Sequence, residues 1–196
     1  MPDRPLIVGL GGTNRESSSS EKALRLAIRA AERRGARTEV LAGAALDLPM
    51  YVPDTTTRDP KATRLVTLLR EADGVILSSP GYHGSVSGLL KNALDYIEDM
   101  RSDDRPYLHA RAVGCIVCAY GWQATGTTLV AMRSIVHALR GWPTPLGIAI
   151  NTAETGFDDA GDCRSVEVAR NLDLLGEQVI GFARMDWPDF GNVAPI

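Results

Sequence analysis

Leu6-Ile7-Val8-Gly9-Leu10-Gly11-Gly12-Thr13-Asn14-Arg15-Glu16-Ser17-Ser18-Ser19-Ser20-Glu21 is the stretch on which the fold turns. Residues 6 to 10 form a short apolar run of the fully buried strand type. A polar, glycine-rich segment follows. Beyond it Ala23, Leu24, Ala27, Ile28 and Ala31 recur at 3.6-residue spacing, the stripe of an amphipathic helix, and Gly35 is a natural helix stop.

The same strand-then-helix pattern recurs along the chain, five times in all. Thr38 to Leu41 reads as the second strand, followed by a long loop with Pro49 and Pro53. Asp59-Pro60 is an N-cap with proline at the first helical position, opening a helix to about Ala72. Gly74 to Ser78 is the third strand, and Leu90, Ala93, Leu94 and Ile97 mark the helix after it. Val113 to Ala119 is the fourth strand, with Leu129, Met132, Val136 and Leu139 striping the next helix. Leu146 to Ile150 is the fifth, before a helix carrying Val168, Leu172, Leu175, Val179 and Phe182. Such alternation predicts an α/β fold, a doubly wound five-stranded parallel sheet covered on both faces, with strand order 2-1-3-4-5. Residues 1 to 185 are expected to form a single domain, and 186 to 196, with Pro188, Gly191 and Pro195, an irregular tail. Ligands of such sheets bind beyond the carboxyl ends of the strands, so the loops after strands one, three and four are where chemistry is expected.

Composition narrows the function. The chain has 196 residues, 44% hydrophobic and 23% charged, as expected of one globular domain. A net charge of −3 argues against nucleic acid as an obligatory partner. No signal-like or membrane-length apolar segment is present, which makes the cytoplasm the expected location and membrane attachment unexpected. The three cysteines, Cys115, Cys118 and Cys163, fit a reducing compartment. Cys115 and Cys118 form a C-x-x-C inside a strand, where residues three apart point to opposite faces. They therefore read as buried small hydrophobes and not as a redox dithiol. No metal site is expected.

The first loop has the makings of an anion site. Backbone N–H groups at a helix start, the helix dipole, Arg15 and the hydroxyls of Thr13 and Ser18 all favour a phosphate. Ser18 with Glu21 also matches the S-x-x-E capping box, which leaves the neighbouring N–H groups available. A dinucleotide fingerprint fails, because its third glycine would fall at Asn14 and no acidic residue ends strand two. A P-loop fails for want of Gly-Lys-Ser/Thr.

After strand three the chain reads Ser79-Pro80-Gly81-Tyr82-His83-Gly84-Ser85-Val86-Ser87-Gly88-Leu89-Leu90-Lys91-Asn92-Ala93-Leu94-Asp95. This resembles the signature of NAD(P)H-dependent FMN reductases, Ser-Pro-x-Tyr-(Asn/His)-Gly-Ser-x-x-Gly-x-Leu-Lys-Asn-Ala-x-Asp, at every fixed position. The first loop is similar to the same family's Gly-Ser-x-Arg-x-x-Ser-x-Asn. There Gly12, Arg15 and Ser18 match, Thr13 stands for serine and Ser20 for asparagine. The resemblance covers roughly residues 6 to 150. It implies a flavodoxin-like fold that holds the FMN phosphate at Gly12, Thr13, Arg15, Ser18 and Ser20. It implies that Pro80, Gly81, Tyr82, His83, Gly84 and Ser85 meet the flavin ring. There a tight Pro-Gly-Tyr-His-Gly turn would offer backbone N–H groups to the ring's polar edge, with Gly81 and Gly84 allowing close approach. Lys91, Asn92 and Asp95 read as structural, with Asp95 an i,i+4 partner of Lys91.

In the loop after strand four, Tyr120 and Gly121 complete the expected flavin contacts. Tyr120 and Trp122 are open to two uses: stacking on flavin or nicotinamide, or packing at a dimer interface with Trp142. The resemblance implies NADPH or NADH as hydride donor and a small-molecule acceptor such as free flavin, a quinone or an azo compound. It also implies a homodimer or homotetramer, with a flavin-dependent monooxygenase as one candidate partner. No side chain is expected to be catalytic, since hydride passes to the flavin itself. His109 and His137 lie away from the strand-end loops, and His83 is expected to act through binding. Two other readings stand beside this one, a flavodoxin-like electron carrier and a flavin-free α/β interaction module.

Overall fold

The computed structural model describes residues 4 to 185. The expected tail from residue 186 lies outside the described residues. Five parallel strands, β1 (Leu6–Gly11), β2 (Arg37–Ala42), β3 (Gly74–Tyr82), β5 (Ala112–Ala119) and β6 (Trp142–Asn151), take the order β2-β1-β3-β5-β6. Counted without the two-residue β4 (Ser85–Val86), this is the expected doubly wound 2-1-3-4-5 arrangement. The short β4 has no counterpart in the sequence pattern; it pairs antiparallel with the end of β3.

Helices α1 (Ser19–Arg33) and α5 (Val166–Ala183) cover one face, while α2 (Pro60–Glu71), α3 (Gly88–Asp95) and α4 (Trp122–Ala138) cover the other. The strands feed these two cores with period two, as pleating requires. Along β1, Leu6, Val8 and Leu10 enter the α2/α3/α4 core and Ile7 enters the α1/α5 core. Cys115 and Cys118 separate in the same way, one into each core, and burial pushes both thiols upward, Cys115 to about 12. A redox dithiol is thereby excluded for this pair, since neither thiol is biased toward thiolate and they face opposite sides of the sheet.

Ser18 and Asp59 cap their helices as read, but the reciprocal half of the Ser18/Glu21 capping box is not made, because the Glu21 carboxylate pairs with Arg25. Ser18 Oγ accepts from Glu21 N–H at 3.2 Å, and Asp59 Oδ1 from Lys61 N–H at 2.8 Å. One buried cation has no signal in the sequence. The Arg111 guanidinium is 1% exposed and donates to the carbonyls of Arg70, Ala72 and Tyr107. Arg70 and Ala72 end α2, so a positive charge meets the negative end of that helix and satisfies its orphan carbonyls. Burial, and then the like charge of Arg105, lower the Arg111 pKa to about 9, which leaves it charged at neutral pH.

The two outer helices of the α1/α5 face pack at backbone distance. A Cβ on Gly176 of α5 would stand 2.3 Å from the Ala27 carbonyl oxygen of α1. A backbone oxygen has no rotamer by which to withdraw. Gly176→Ala is expected to lower stability because an overpacking cost of about 1–3 kcal/mol exceeds a helix-propensity gain of about 1 kcal/mol. Urea denaturation checks this; a raised midpoint would contradict the close approach.

Candidate functional site

At the carboxyl edge of the sheet, a knot of buried serines joins the first loop to the third strand. Gly12 N–H donates to the Ser78 carbonyl at 2.7 Å, and Ser78 Oγ donates to the Ser20 carbonyl at 2.7 Å. Ser79 Oγ accepts from Ser87 N–H at 2.9 Å. Ser87 Oγ donates to the Gly12 carbonyl at 2.5 Å and accepts from Leu90 N–H, capping α3. Gly12 is therefore a packing glycine: a Cβ there would meet Ser87 Oγ at 2.9 Å. Ser78, Ser79 and Ser87 lie outside the residues that the sequence assigns to flavin contact. The available signal was two serines ending an otherwise apolar strand, since buried hydroxyls need partners.

With its base fixed in this way, the loop from Thr13 to Ser18 shapes itself. Thr13 Oγ1 accepts from Arg15 N–H at 3.1 Å, Ser17 takes φ 53°, and the Ser18 and Ser20 hydroxyls lie 3.2 Å apart. Ser20 is 2% exposed, inside α1. The hydroxyls thus serve the loop's conformation. Among the described residues, the backbone N–H groups of Asn14, Glu16, Ser17 and Ser18 have no protein partner. Arg15 is exposed and in no ion pair there. Unpaired N–H donors and Arg15 thus belong to the one loop that opens a fifteen-residue helix.

The second segment differs from expectation. The strand does not stop at Ser78 but runs on to Tyr82, so Pro80, Gly81 and Tyr82 are strand residues. The predicted Pro-Gly-Tyr-His-Gly turn contracts to His83-Gly84, flanked by the pairs Gly81↔Val86 and Tyr82↔Ser85. Both turn residues have positive φ, 51° and 84°, as a two-residue type I′ hairpin requires. Asparagine and histidine are among the residues that tolerate this region, and glycine adopts it freely. The strand extends because β5 stays paired with it through Pro80 and β4 then pairs with Gly81 and Tyr82. Tyr82 to Ser85 are exposed, and Gly81 is half-buried against Thr128 and Ala119.

The third segment begins one residue past β5. Tyr120 is exposed, and Gly121 takes φ 117° and ψ 147°, a region essentially reserved for glycine. Asn151, at the end of β6, receives Gly121 N–H on Oδ1 at 2.9 Å. The predicted residues after β1, β3 and β5 thus share one sheet edge. Asn151 and the loop-holding Asn92 join them from outside the predicted set of contacts. His109 and His137 stand elsewhere, before β5 and in the last turn of α4. Among the described residues, no cluster of three or more His, Cys, Asp or Glu could hold a metal, and no helix is long and apolar enough to cross a membrane.

The reductase-type signature occupies residues 79 to 95, and the profile of the family described as NADPH-dependent FMN reductase matches residues 5–155. The chain belongs to this family. Among curated relatives, an NADPH azoreductase of a Bacillus species is 43% identical over 61 residues, 31% of this chain and 34% of the relative. An FMN-dependent NADPH-azoreductase of Staphylococcus saprophyticus is 36% identical over 124 residues, covering 61% of each chain. The chain thus spans 34% to 61% of the length of these reductase-family relatives. A solved NAD(P)H:acceptor oxidoreductase of Paracoccus denitrificans superposes with TM-score 0.70 at 20% identity, covering 91% of this chain and 97% of that one. An archaeal flavodoxin superposes with TM-score 0.63 at 9% identity, covering 92% and 99%. At these identities the likeness is one of fold, and the fold is flavodoxin-like.

The family motif's Asn92 has a structural role. It is 6% exposed; its Oδ1 accepts from Tyr51 N–H at 2.8 Å, and its Nδ2 donates to the carbonyls of Pro49 at 2.9 Å and Leu48 at 3.3 Å. It pins the loop after β2 beside the site, while Lys91 and Asp95 pair on the surface as expected. Asn92→Ala leaves buried backbone groups unpaired and is expected to cost about 1–3 kcal/mol. Urea unfolding checks the cost, and hydrogen exchange at the Tyr51 amide is expected to quicken.

Proposed function

We infer that the protein is an FMN-dependent oxidoreductase that takes hydride from NADPH or NADH and delivers electrons to a small-molecule acceptor. The observation that carries this reading is the meeting of two elements at one sheet edge. The first is a loop with unpaired N–H groups and Arg15. The second is the glycine-bearing hairpin of the family signature.

The residues present fit FMN. A 5′-phosphate needs several donors and positive charge, which residues 14 to 18 and the start of α1 supply. A flat ring with one polar edge needs backbone that can be approached closely, which the exposed Gly81–Ser85 hairpin supplies. Tyr82 and Tyr120 flank that position. When bound, the flavin supplies the chemistry, accepting hydride at one ring nitrogen and passing electrons on. The protein's own part is binding, orientation and exclusion of bulk water. No side chain is required to move a proton in the hydride step, and His83 serves the hairpin and flavin binding.

The likeness to flavodoxins is one of fold only, and NADPH oxidation on adding FMN and a quinone separates a reductase from a carrier. The same reading carries a single flavin-binding unit in a homodimer or homotetramer located in the cytoplasm. Release of reduced flavin to a monooxygenase is one outlet for the electrons.

Two substitutions test the assignment. Arg15→Ala is expected to weaken FMN by about 1.5–3 kcal/mol, the size of a charge-assisted contact, and riboflavin far less. Equal losses for the two ligands, measured by flavin fluorescence titration, would remove the phosphate role. His83→Asn keeps a residue suited to positive φ. At saturating FMN and NADPH its reductive half-reaction is expected within about tenfold of the parent, a barrier change below roughly 1.4 kcal/mol. A stopped-flow loss of a thousandfold with flavin still bound would make His83 a chemical participant.

A further inference from the structure

The flavin reading leaves one well-built feature of the sheet edge unused, namely Trp122 with the side chains that hold it. Trp122 opens α4 immediately after Tyr120 and Gly121. Tyr82 ends β3, which runs parallel to β5 with Pro80 beside Cys118. Tyr82 and Tyr120 both follow the last residues of that ladder, at the carboxyl edge of the sheet. All three rings are more than half exposed, Trp122 at 58%. Exposure by itself is common and carries nothing.

The manner in which Trp122 is held is the second observation. Its indole N–H donates to Glu154 Oε1 at 2.7 Å. The same oxygen accepts from Asn151 Nδ2 at 2.7 Å. Asn151, 5% exposed, receives the N–H groups of Gly121 at 2.9 Å and Ala153 at 3.1 Å on Oδ1. A buried amide and a carboxylate from the connection after β6 thus grip both the backbone leading into Trp122 and the ring itself. A tryptophan that fills no core does not need such a grip for the fold to stand. A ring pinned by its edge keeps its π face free and preorganised for a flat ligand. The Glu154 carboxylate at the rim favours an uncharged ligand over an anionic one.

We propose that Trp122, with Tyr120 beside it, is the acceptor platform of the site, where a planar, uncharged aromatic oxidant of the quinone or azo-arene class stacks. Glu154 and Asn151 are positioning residues that act through the indole. The proposal rests on the reductase reading for what the acceptor receives, but not for where it binds.

The test is calorimetric titration of the full chain with menadione, a neutral planar quinone, at saturating FMN and without NADPH. Trp122→Ala is expected to weaken menadione about three- to tenfold, the size of one aromatic stacking contact, and Trp122→Phe to restore binding to within about twofold. Glu154→Ala is expected to follow Trp122→Ala. Glu154→Gln, which keeps an acceptor for the indole N–H, is expected to bind as the parent does. The proposal is overturned if the parent does not bind menadione, if Trp122→Ala binds it equally well, or if Glu154→Gln is as weak as Glu154→Ala. A parent dimer that falls to monomer in Trp122→Ala, read by sedimentation, would assign the ring to a second copy instead and overturn it too. The reductase reading fails separately, by a parent that binds no FMN, and the menadione series needs no turnover to give its answer.

Discussion

The hydrogen bond from Gly12 N–H to the Ser78 carbonyl is the joint on which the site hangs. β1 and β3 are neighbours in the sheet, yet the chain leaves them in different directions. From β1 it enters α1 on one face, and from β3 it passes through the hairpin to α3 on the other. Any crevice at the sheet edge opens where such paths diverge. Divergence also exposes backbone, and the buried serines Ser20, Ser78, Ser79 and Ser87 answer for it. Ser78 holds the start of α1 through the Ser20 carbonyl, Ser87 caps α3 and returns to Gly12, and Ser79 receives the backbone of Ser87. The two loops that frame the site are thus cross-braced beneath their tips.

That bracing explains a division of labour within the first loop. Its hydroxyls face one another or the loop's own N–H groups, while the remaining N–H groups stay unpaired. A loop held in this way keeps its unpaired N–H groups in a fixed arrangement whose conformational cost has been met by the protein. The hairpin follows the same logic. Paired strands fix Tyr82 and Ser85, and only the two turn residues occupy the restricted positive-φ region.

Much of this is legible in the sequence, for identifiable reasons. The helices declare themselves by apolar stripes and by the caps at Ser18 and Asp59, and the sheet order follows from alternation. What stays hidden depends on partners far along the chain. The end of β3 is a strand because β5 pairs with Ser79 and Pro80 and residues 85 and 86 fold back on Gly81 and Tyr82, and the apparent loop chemistry of Pro80-Gly81 conceals that. Asn92 reads as structural, but the sequence does not say that the loop after β2 is what it holds, and nothing local marks Arg111 as the partner of the end of α2. Gly121 reads correctly as a loop glycine, but its support, Asn151, sits thirty residues away. Burial of polar groups by long-range contacts has no local period to read.

The close contact of α1 with α5 bears on how the chain acquires its structure. The cover on that face is made from the first helix and from residues 166 to 183, joined by ion pairs such as Arg33 with Asp173 and Arg34 with Glu177. Their sequence separation, 140 and 143 residues, makes this face the most non-local part of the molecule. Contacts of such range form slowly, since the loop they close must be ordered first. During synthesis Ile7, Ile76 and Ile116 would have α1 over them but no α5, and half the sheet would stay open to water and to other chains. Aggregation of nascent or truncated forms through that bare face is the hazard this topology imposes.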